Sequence, residues 1–225
     1  MALRNRKPVL FLPMRIWDLP TRLFHWLIVL LLPASYFSQE LGYMQLHFIF
    51  GYVMLALLLF RLAWGFVGSD TSRFGRFLVS PLEGFRHLRR WRVREADAQV
   101  GHNAAGGWMV LALLLLLAVQ VVSGLGAHNR TIEGPLAKSV GQAWSDRLSF
   151  AHGLVFNLVL VAVALHVVAI AAYAVFKRQD LVRPMLTGKK RLPAATRAPR
   201  MASSALALLL LAVAALAAWA VATQV

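Results

Sequence analysis

Five long apolar runs constrain this 225-residue chain more than any other feature. Crossing roughly 30 Å of hydrocarbon takes about 20 helical residues, and each run is of about that length. Continuous runs lack the polar–apolar alternation of a membrane β-barrel, and a helix satisfies its own backbone hydrogen bonds in lipid. The sequence therefore predicts an all-α integral membrane protein with spans at about 23–41, 47–67, 103–125, 148–176 and 203–222.

The distribution of Lys and Arg predicts how these spans are oriented. Segments 1–22, 68–102 and 177–202 together carry 20 of these residues, whereas 42–46 and 126–147 together carry 3. Basic residues concentrate in cytoplasmic loops, so we expect a cytoplasmic N-terminus and a C-terminus on the opposite side. Because the basic residues flank apolar runs, the net charge of +15 indicates membrane topology and not nucleic-acid binding.

A short helix on the cytoplasmic membrane surface is predicted within SPLEGFRHLRRW (Ser80–Trp91). Ser80 is a candidate N-cap, Pro81 suits the first turn, and Glu83 completes a capping box. Apolar residues recur there at helical spacing with arginines between them, as in helices that lie in the membrane interface. A solvated basic loop is the alternative.

A change in amino-acid composition near residue 190 indicates a boundary between two parts of the chain. Residues 183–200 are rich in Lys, Arg, Pro and Ala, which indicates a linker before the last span. We therefore predict a four-helix transmembrane domain at 1–190, and a linker with a fifth, C-terminal transmembrane helix at 191–225. The last span has no ionisable residue, and its Ala-rich faces suit close helix packing.

Four histidines lie within or at the ends of three spans, where an unpaired polar ring is costly. His152 and His166 are fourteen residues apart, so they lie on nearly the same helix face and about 21 Å apart along the axis at 1.5 Å per residue. With the predicted orientation, His47 lies at the depth of His152 on the outer side. His25 lies at the depth of His166 on the inner side. Two facing pairs of imidazoles follow, one in each leaflet.

A low-spin b-type haem takes two imidazoles as axial ligands, one on each face of the iron, so two imidazoles that face each other across a helix bundle predict such a haem. Zinc fits less well because it takes three or four converging ligands, and a proton relay fits less well because no span has a carboxylate near its middle. Histidines that only hydrogen-bond between helices are the alternative. The chain has no Cys, which excludes disulfides, iron–sulfur clusters and c-type haem attachment.

Six stretches between about residues 14 and 191 carry a more specific signal. They are WDLPTRLFHW (Trp17–Trp26), HFIFGY (His47–Tyr52), LLLFRLAWGFVGS (Leu57–Ser69), GHNAAG (Gly101–Gly106), AHG with LHV (within Ala151–Val167) and DLVRPMLTGKK (Asp180–Lys190). In order and spacing they resemble the bacterial di-haem cytochrome b561 family, which is related to the cytochrome b subunits of nickel–iron hydrogenases and formate dehydrogenases.

The resemblance implies a haem-binding four-helix bundle in the bacterial inner membrane, with the C-terminus in the periplasm. It implies two b haems, which carry over to the histidines already paired. His47 and His152 would bind the outer haem, and His25 and His166 the inner one.

Two further residues are candidates for cofactor binding. Arg61, near the inner end of the second span, would pair with a propionate of the inner haem; the alternative is that it extends to the inner headgroups. His102, at the start of the third span, would help to hold a quinone and pass protons; the alternative is a polar residue at a helix start. Gly51, Gly106 and Gly107 would leave room for a macrocycle, or would only permit close helix packing.

The predicted function is transmembrane electron transfer between the quinone pool, for example ubiquinone, and a periplasmic cytochrome c or a dehydrogenase or hydrogenase subunit. Whether the chain is an oxidoreductase subunit or an electron carrier is open. A superoxide:quinone oxidoreductase is an alternative, although the outer loops carry no net charge to attract an anion. A haem-free adaptor or transporter is more remote, because no inverted repeat is evident. Lipid and quinone are expected partners, nucleic acid is not, and a homodimer is left open.

Overall fold

The computed structural model describes residues 10–90, 93, 98–128 and 132–223. Part of the basic charge that predicts the orientation, within 1–9 and at positions 92, 94 and 130, lies outside these residues. The orientation in the membrane stays a prediction.

Helices make up most of the described chain, and the predicted all-α class is confirmed. In chain order they are α1 (Leu19–Glu40), α2 (Met44–Val67), α3 (Phe74–Phe77), α4 (Pro81–Arg89), α5 (Ala104–Gly126), α6 (Ala137–Val140), α7 (Gln142–Ala172) with a π-helical turn at Tyr173–Lys177, α8 (Val182–Thr187) and α9 (Ser204–Ala222).

Four of these helices are long and apolar enough to cross a membrane. They are α2, α5, α7 with its π-helical turn, and α9. The first predicted span forms α1, which is 22 residues long but is not one of the four. Polar residues near both of its ends, such as Arg22 and Glu40, shorten its apolar part. α7 begins six residues before the predicted span, because the helix extends past the apolar run.

Polar caps determine where several helices begin. Asp18, Asn103 and Ser203 cap α1, α5 and α9 through their side chains. Ser80 accepts a hydrogen bond from the backbone N–H of Glu83 at 3.3 Å at the start of α4, so the helix predicted from the capping box is confirmed. Its apolar side is exposed, as a membrane-surface helix requires, at Leu82, Phe85 and Leu88.

A small antiparallel sheet pairs the segment before α1 with the segment after α8. β1 (Phe11–Arg15) pairs with β2 (Lys189–Pro193), with Phe11 opposite Pro193 and Arg15 opposite Lys189. The sequence predicted a linker at 183–200, but α8 and β2 occupy part of it. β2 also crosses the predicted division at 190/191. Composition did not reveal this strand because its partner lies at the other end of the bundle's sequence.

The core lies where α2, α5 and α7 meet. Its buried side chains come from all three helices and include Leu55, Leu58, Leu117, Val121 and Val159. α9 packs antiparallel against α2 with small residues at the contact, since Ala207 and Ala214 lie against Phe60 and Trp64. The bundle has two distinct ends. The sheet end carries β1 and β2, and the loop end carries the connections at 41–43, 127–128 and 132–141.

Candidate functional site

A cavity of about 390 Å³ opens between α1, α2, α5 and α7 at the loop end of the bundle. We call it the His47/His152 cavity. Its lining includes both of these histidines, together with Gly51 and Gly153 and the aromatic rings of Tyr36 and Phe156. A mostly apolar cavity of this size with two convergent polar groups is typical of a cofactor site.

The rings of His47 and His152 face each other across this cavity. Their centroids lie 6.2 Å apart and their planes are inclined at 85°. Two metal–nitrogen bonds of about 2 Å each account for about 4 Å of such a separation, and the two ring radii account for the rest. The residues present therefore fit axial ligation of a metal by one nitrogen of each ring.

Hydrogen bonds to backbone carbonyls fix which nitrogen of each ring carries the hydrogen, while Nε2 of His152 also lies 3.3 Å from the amide nitrogen of Gln120. Nδ1 of His47 donates to the carbonyl oxygen of Ser35 at 2.9 Å, and Nδ1 of His152 donates to that of Gln120 at 2.9 Å. In a neutral imidazole the other nitrogen, Nε2, then carries the lone pair that binds a metal. Such backbone partners also fix the ring orientation, as they do around metal-ligating histidines generally.

Glycines leave the space that this pair occupies. A Cβ at Gly124 would lie 2.8 Å from Cε1 of His152, so the imidazole packs directly on the α5 backbone. At Gly51 and Gly153 a Cβ would meet nothing within 4 Å, because both glycines border the open cavity. The predicted role of Gly51 in leaving room for a macrocycle stays a prediction. Gly107 instead packs against the backbone of Phe77, in agreement with the alternative of close packing.

A second cavity, of about 650 Å³, lies at the sheet end. We call it the His25/His166 cavity, because both histidines line it, together with His102 and Gly106. Nδ1 of His25 and Nδ1 of His102 are buried without a hydrogen-bond partner among the described residues. Buried polar atoms in native proteins are rarely left in this state, so the cavity suits a ligand that contacts them.

The two cavities lie at opposite ends of the bundle. His152 and His166 both belong to α7, so the helical rise separates them by about 21 Å. The structure thus brings His47 together with His152, and His25 together with His166. Within the described ranges, no group of three or more His, Asp or Glu side chains could hold a metal ion. Haem ligation by the two pairs stays a prediction.

Arg61 does not extend to the headgroups, so that alternative is wrong. It is 2 % exposed and its guanidinium lies over the ring of Phe74, 5.2 Å from the centroid. Its Nη1 has no partner among the described residues, and Arg61 is not among the described residues that line either cavity. Pairing with a propionate stays a prediction, and the geometry places another cation closer to the cavity.

A buried polar network surrounds Asp18, near Arg61. The carboxylate accepts hydrogen bonds from the backbone N–H of Thr21 at 2.6 Å, from Ser72 Oγ at 2.9 Å and from Trp64 Nε1 at 3.2 Å. Burial raises the pKa of Asp18, but hydrogen bonds from Ser69, Thr21 and Ser72 outweigh it and hold the pKa below its ordinary value. This network joins the start of α1 to the end of α2.

His102 lies two residues before α5 and faces the His25/His166 cavity. Its ring contacts Trp17 at 4.7 Å and Phe77 at 4.9 Å between centroids. Burial, followed by the positive charge of Arg61, lowers the pKa of His102 to about 3. The ring is therefore neutral near pH 7 in this structure. The predicted role of His102 in quinone binding and proton transfer stays a prediction.

Several residues at the two cavities were not predicted from the sequence. Ser35 and Gln120 accept hydrogen bonds from the histidines through their backbone carbonyls. Their side chains lie near the same rings, Ser35 Oγ at 3.1 Å from Nδ1 of His47 and Gln120 Nε2 at 3.3 Å from Nε2 of His152. Gly124 is one glycine in a long apolar run, and only its contact with a histidine distinguishes it. Tyr173 lines the second cavity. Its hydroxyl oxygen accepts a hydrogen bond from Nδ2 of Asn103 and is hydrogen-bonded to Nε2 of His87. The π-helical turn that begins at Tyr173 has no sequence signature that we recognised.

A model of the prokaryotic cytochrome b561 family matches residues 16–188. A probable Ni/Fe-hydrogenase B-type cytochrome subunit of Rhizobium leguminosarum bv. viciae is 24% identical over 211 residues, which cover 78% of this chain and 87% of that protein. A protein of the same name from Azotobacter chroococcum is 27% identical over 217 residues, covering 77% and 86%. No solved structure shows a significant match.

Proposed function

Since the chain belongs to the prokaryotic cytochrome b561 family, we propose that it carries electrons across the bacterial membrane through two b-type haems, each ligated by two histidines. The family implies membrane electron transfer and haem b. The number of haems, their ligands and the redox partners are the parts that we propose.

One observation carries the proposal. The rings of His47 and His152 lie 6.2 Å apart, and each donates its Nδ1 hydrogen to a backbone carbonyl. Both Nε2 atoms are thus acceptors, as axial ligation requires. Nε2 of His152 lies 3.3 Å from the amide nitrogen of Gln120, so this amide would move away when the imidazole binds a metal.

The protein residues supply placement and the haems supply the one-electron chemistry when bound. Two histidines would hold each haem, and such a haem would supply electron transfer and not the binding of small ligands. His47 and His152 would hold one group at the loop end, where Gly51 and Gly153 leave space. His25 and His166 would hold the second at the sheet end. α7 contributes one histidine to each pair, so a single helix sets the spacing between the two sites.

We propose that the sheet end faces the cytoplasm, because the segments with most Lys and Arg connect there. The loop end would then face the periplasm. The relatives are named as hydrogenase cytochrome subunits, which supports a redox-enzyme subunit as the partner on that side. A quinone would exchange electrons with the other end.

The test is the haem content of the purified full-length protein. We expect a b-type difference spectrum on reduction and a haem-to-protein ratio of two. His47→Ala and His152→Ala should each lower the ratio to one by loss of the same haem, and His25→Ala and His166→Ala should each lose the other.

His87→Ala is the matched control, because His87 lies on α4 and is outside both histidine pairs. It should keep both haems. A colourless wild-type protein, or loss of the same haem from His25→Ala and His152→Ala, would overturn the proposal.

A further inference from the structure

A lysine of β2 points into the protein. The strand alternates between exposed and buried residues, so Lys189 and Arg191 are exposed while Lys190 and Leu192 are buried. Lys190 is 9 % exposed and Leu192 is 0 % exposed. Lysine is rarely buried to this extent, because removing an ammonium group from water is costly.

The inward direction of Lys190 is set by the sheet and by the core beneath it. Lys190 lies opposite Met14 in the antiparallel pairing. Leu192, two residues later on the same face, packs with Ile16 and Trp17 in a small buried cluster. A register shift of one residue would expose Leu192, so the apolar cluster holds Lys190 inside.

Lys190 faces the His25/His166 cavity. It is one of the residues that line this cavity, and its Nζ donates a hydrogen bond to the carbonyl oxygen of Gln99 at 2.9 Å. None of the described lining residues is Asp or Glu. Lys190 is the one Lys or Arg that the described part of the chain contributes to the lining of this cavity.

We propose that Lys190 binds a carboxylate of the molecule in this cavity, namely a propionate of the haem ligated by His25 and His166. The inference rests on the proposed function. It assigns to Lys190 the part that the sequence gave to Arg61, whose guanidinium is packed over Phe74 outside the cavity lining. Lysine near a carboxylate in a site of low polarity gives a strong interaction.

The first test is the midpoint potential of this haem in full-length protein. A cation beside the haem favours the reduced form, so Lys190→Met should shift its oxidation equilibrium about tenfold, which is about 59 mV lower for one electron. Lys189→Met is the matched control, since it removes the same charge from the exposed face of the same strand. It should shift the equilibrium less than twofold. Lys190→Arg keeps the positive charge and should keep the midpoint potential close to that of the wild type.

The second test uses a porphyrin without carboxylates. In a His47→Ala background, where only the second cavity would take up haem, the protein is reconstituted with haem or with its dimethyl ester. Protein with Lys190 should bind haem at least tenfold more tightly than the ester, and Lys190→Met should lose most of this preference. The comparison within the Lys190 protein needs no change at this position, so equal binding of haem and ester overturns the role of Lys190 even if Lys190→Met does not fold.

The outcomes separate this inference from the function on which it rests. Equal binding of haem and ester by protein with Lys190, or equal potentials in Lys190→Met and Lys189→Met, would overturn the role of Lys190 and leave the two haems in place. A wild-type protein that holds no haem would overturn both.

Discussion

Gly124 of α5 and His152 of α7 are in direct contact, and only a residue without a Cβ allows it. An added Cβ would lie 2.8 Å from Cε1 and 3.1 Å from Nδ1 of the imidazole. The same Nδ1 donates to the carbonyl oxygen of Gln120, one turn earlier on α5. The α5 backbone thus sets both the position and the orientation of this ring.

Gly124→Ala should therefore disturb the His47/His152 cavity. The new methyl group displaces the ring of His152 and lengthens its bond to Gln120, so we expect the haem-to-protein ratio to fall from two towards one. Gly75→Ala is the control, because a Cβ there meets nothing within 4 Å. Retention of both haems in Gly124→Ala, with an unchanged spectrum, would contradict this account.

Asp18→Asn should destabilise the protein at neutral pH. The carboxylate accepts three hydrogen bonds in a buried site, and an amide in its place turns one acceptor atom into a donor, at a cost of about 1–3 kcal/mol. Because the pKa of Asp18 is lowered in the folded state, its contribution is full above its ordinary pKa and is lost as the pH falls through the folded value.

Thermal unfolding in detergent at pH 7 and at pH 3 measures this effect. The deficit of Asp18→Asn should be larger at pH 7. Glu133→Gln serves as a comparison, since the exposed pair of Glu133 with Lys138, 3.8 Å apart, should contribute little. An equal deficit at the two pH values would rule out a role for the charge of Asp18.

His102→Phe should reduce the loss of stability in acid. Burial, followed by the charge of Arg61, lowers the pKa of His102 from 6.5 to about 3. Between pH 6.5 and about pH 3 His102 is therefore protonated in the unfolded chain but not in the folded protein. Over this range the free energy of unfolding falls by up to about 1.4 kcal/mol for each unit by which the pH is lowered. Unfolding curves between pH 7 and pH 4 should be flatter for His102→Phe than for wild type. Parallel curves would mean that His102 is protonated in the folded protein.

Tyr173→Phe should loosen the surface helix α4. The Tyr173 hydroxyl lies 2.7 Å from Nε2 of His87 on α4 and 2.9 Å from Nδ2 of Asn103 at the start of α5. Loss of a hydrogen bond worth about 1 kcal/mol should speed amide exchange in Pro81–Arg89 about fivefold. Tyr43→Phe changes an exposed tyrosine and should leave exchange there unchanged, and equal rates in the two variants would refute the link.

Much of the architecture was predictable because it depends on local sequence. Backbone hydrogen bonds cannot go to solvent within lipid, so long apolar runs form helices wherever they occur. Helical periodicity then places His152 and His166 on one face of α7. The capping box at Ser80 and Glu83 fixed the start of α4 for the same reason, since all its partners lie within one turn. The family followed from motifs of similarly short range.

Contacts between distant residues were decided only by the tertiary structure. Pairing of β1 with β2 brings segment 11–15 to segment 189–193, and this register, not local composition, makes Lys190 a cavity residue while Lys189 stays exposed. Burial of Arg61 over Phe74 likewise depends on how α2 meets α3. Apolar periodicity specifies which helices form. Packing between elements far apart in sequence decides which carbonyl accepts a hydrogen bond from a histidine and which cation faces a cavity. Such packing leaves no local pattern in the sequence.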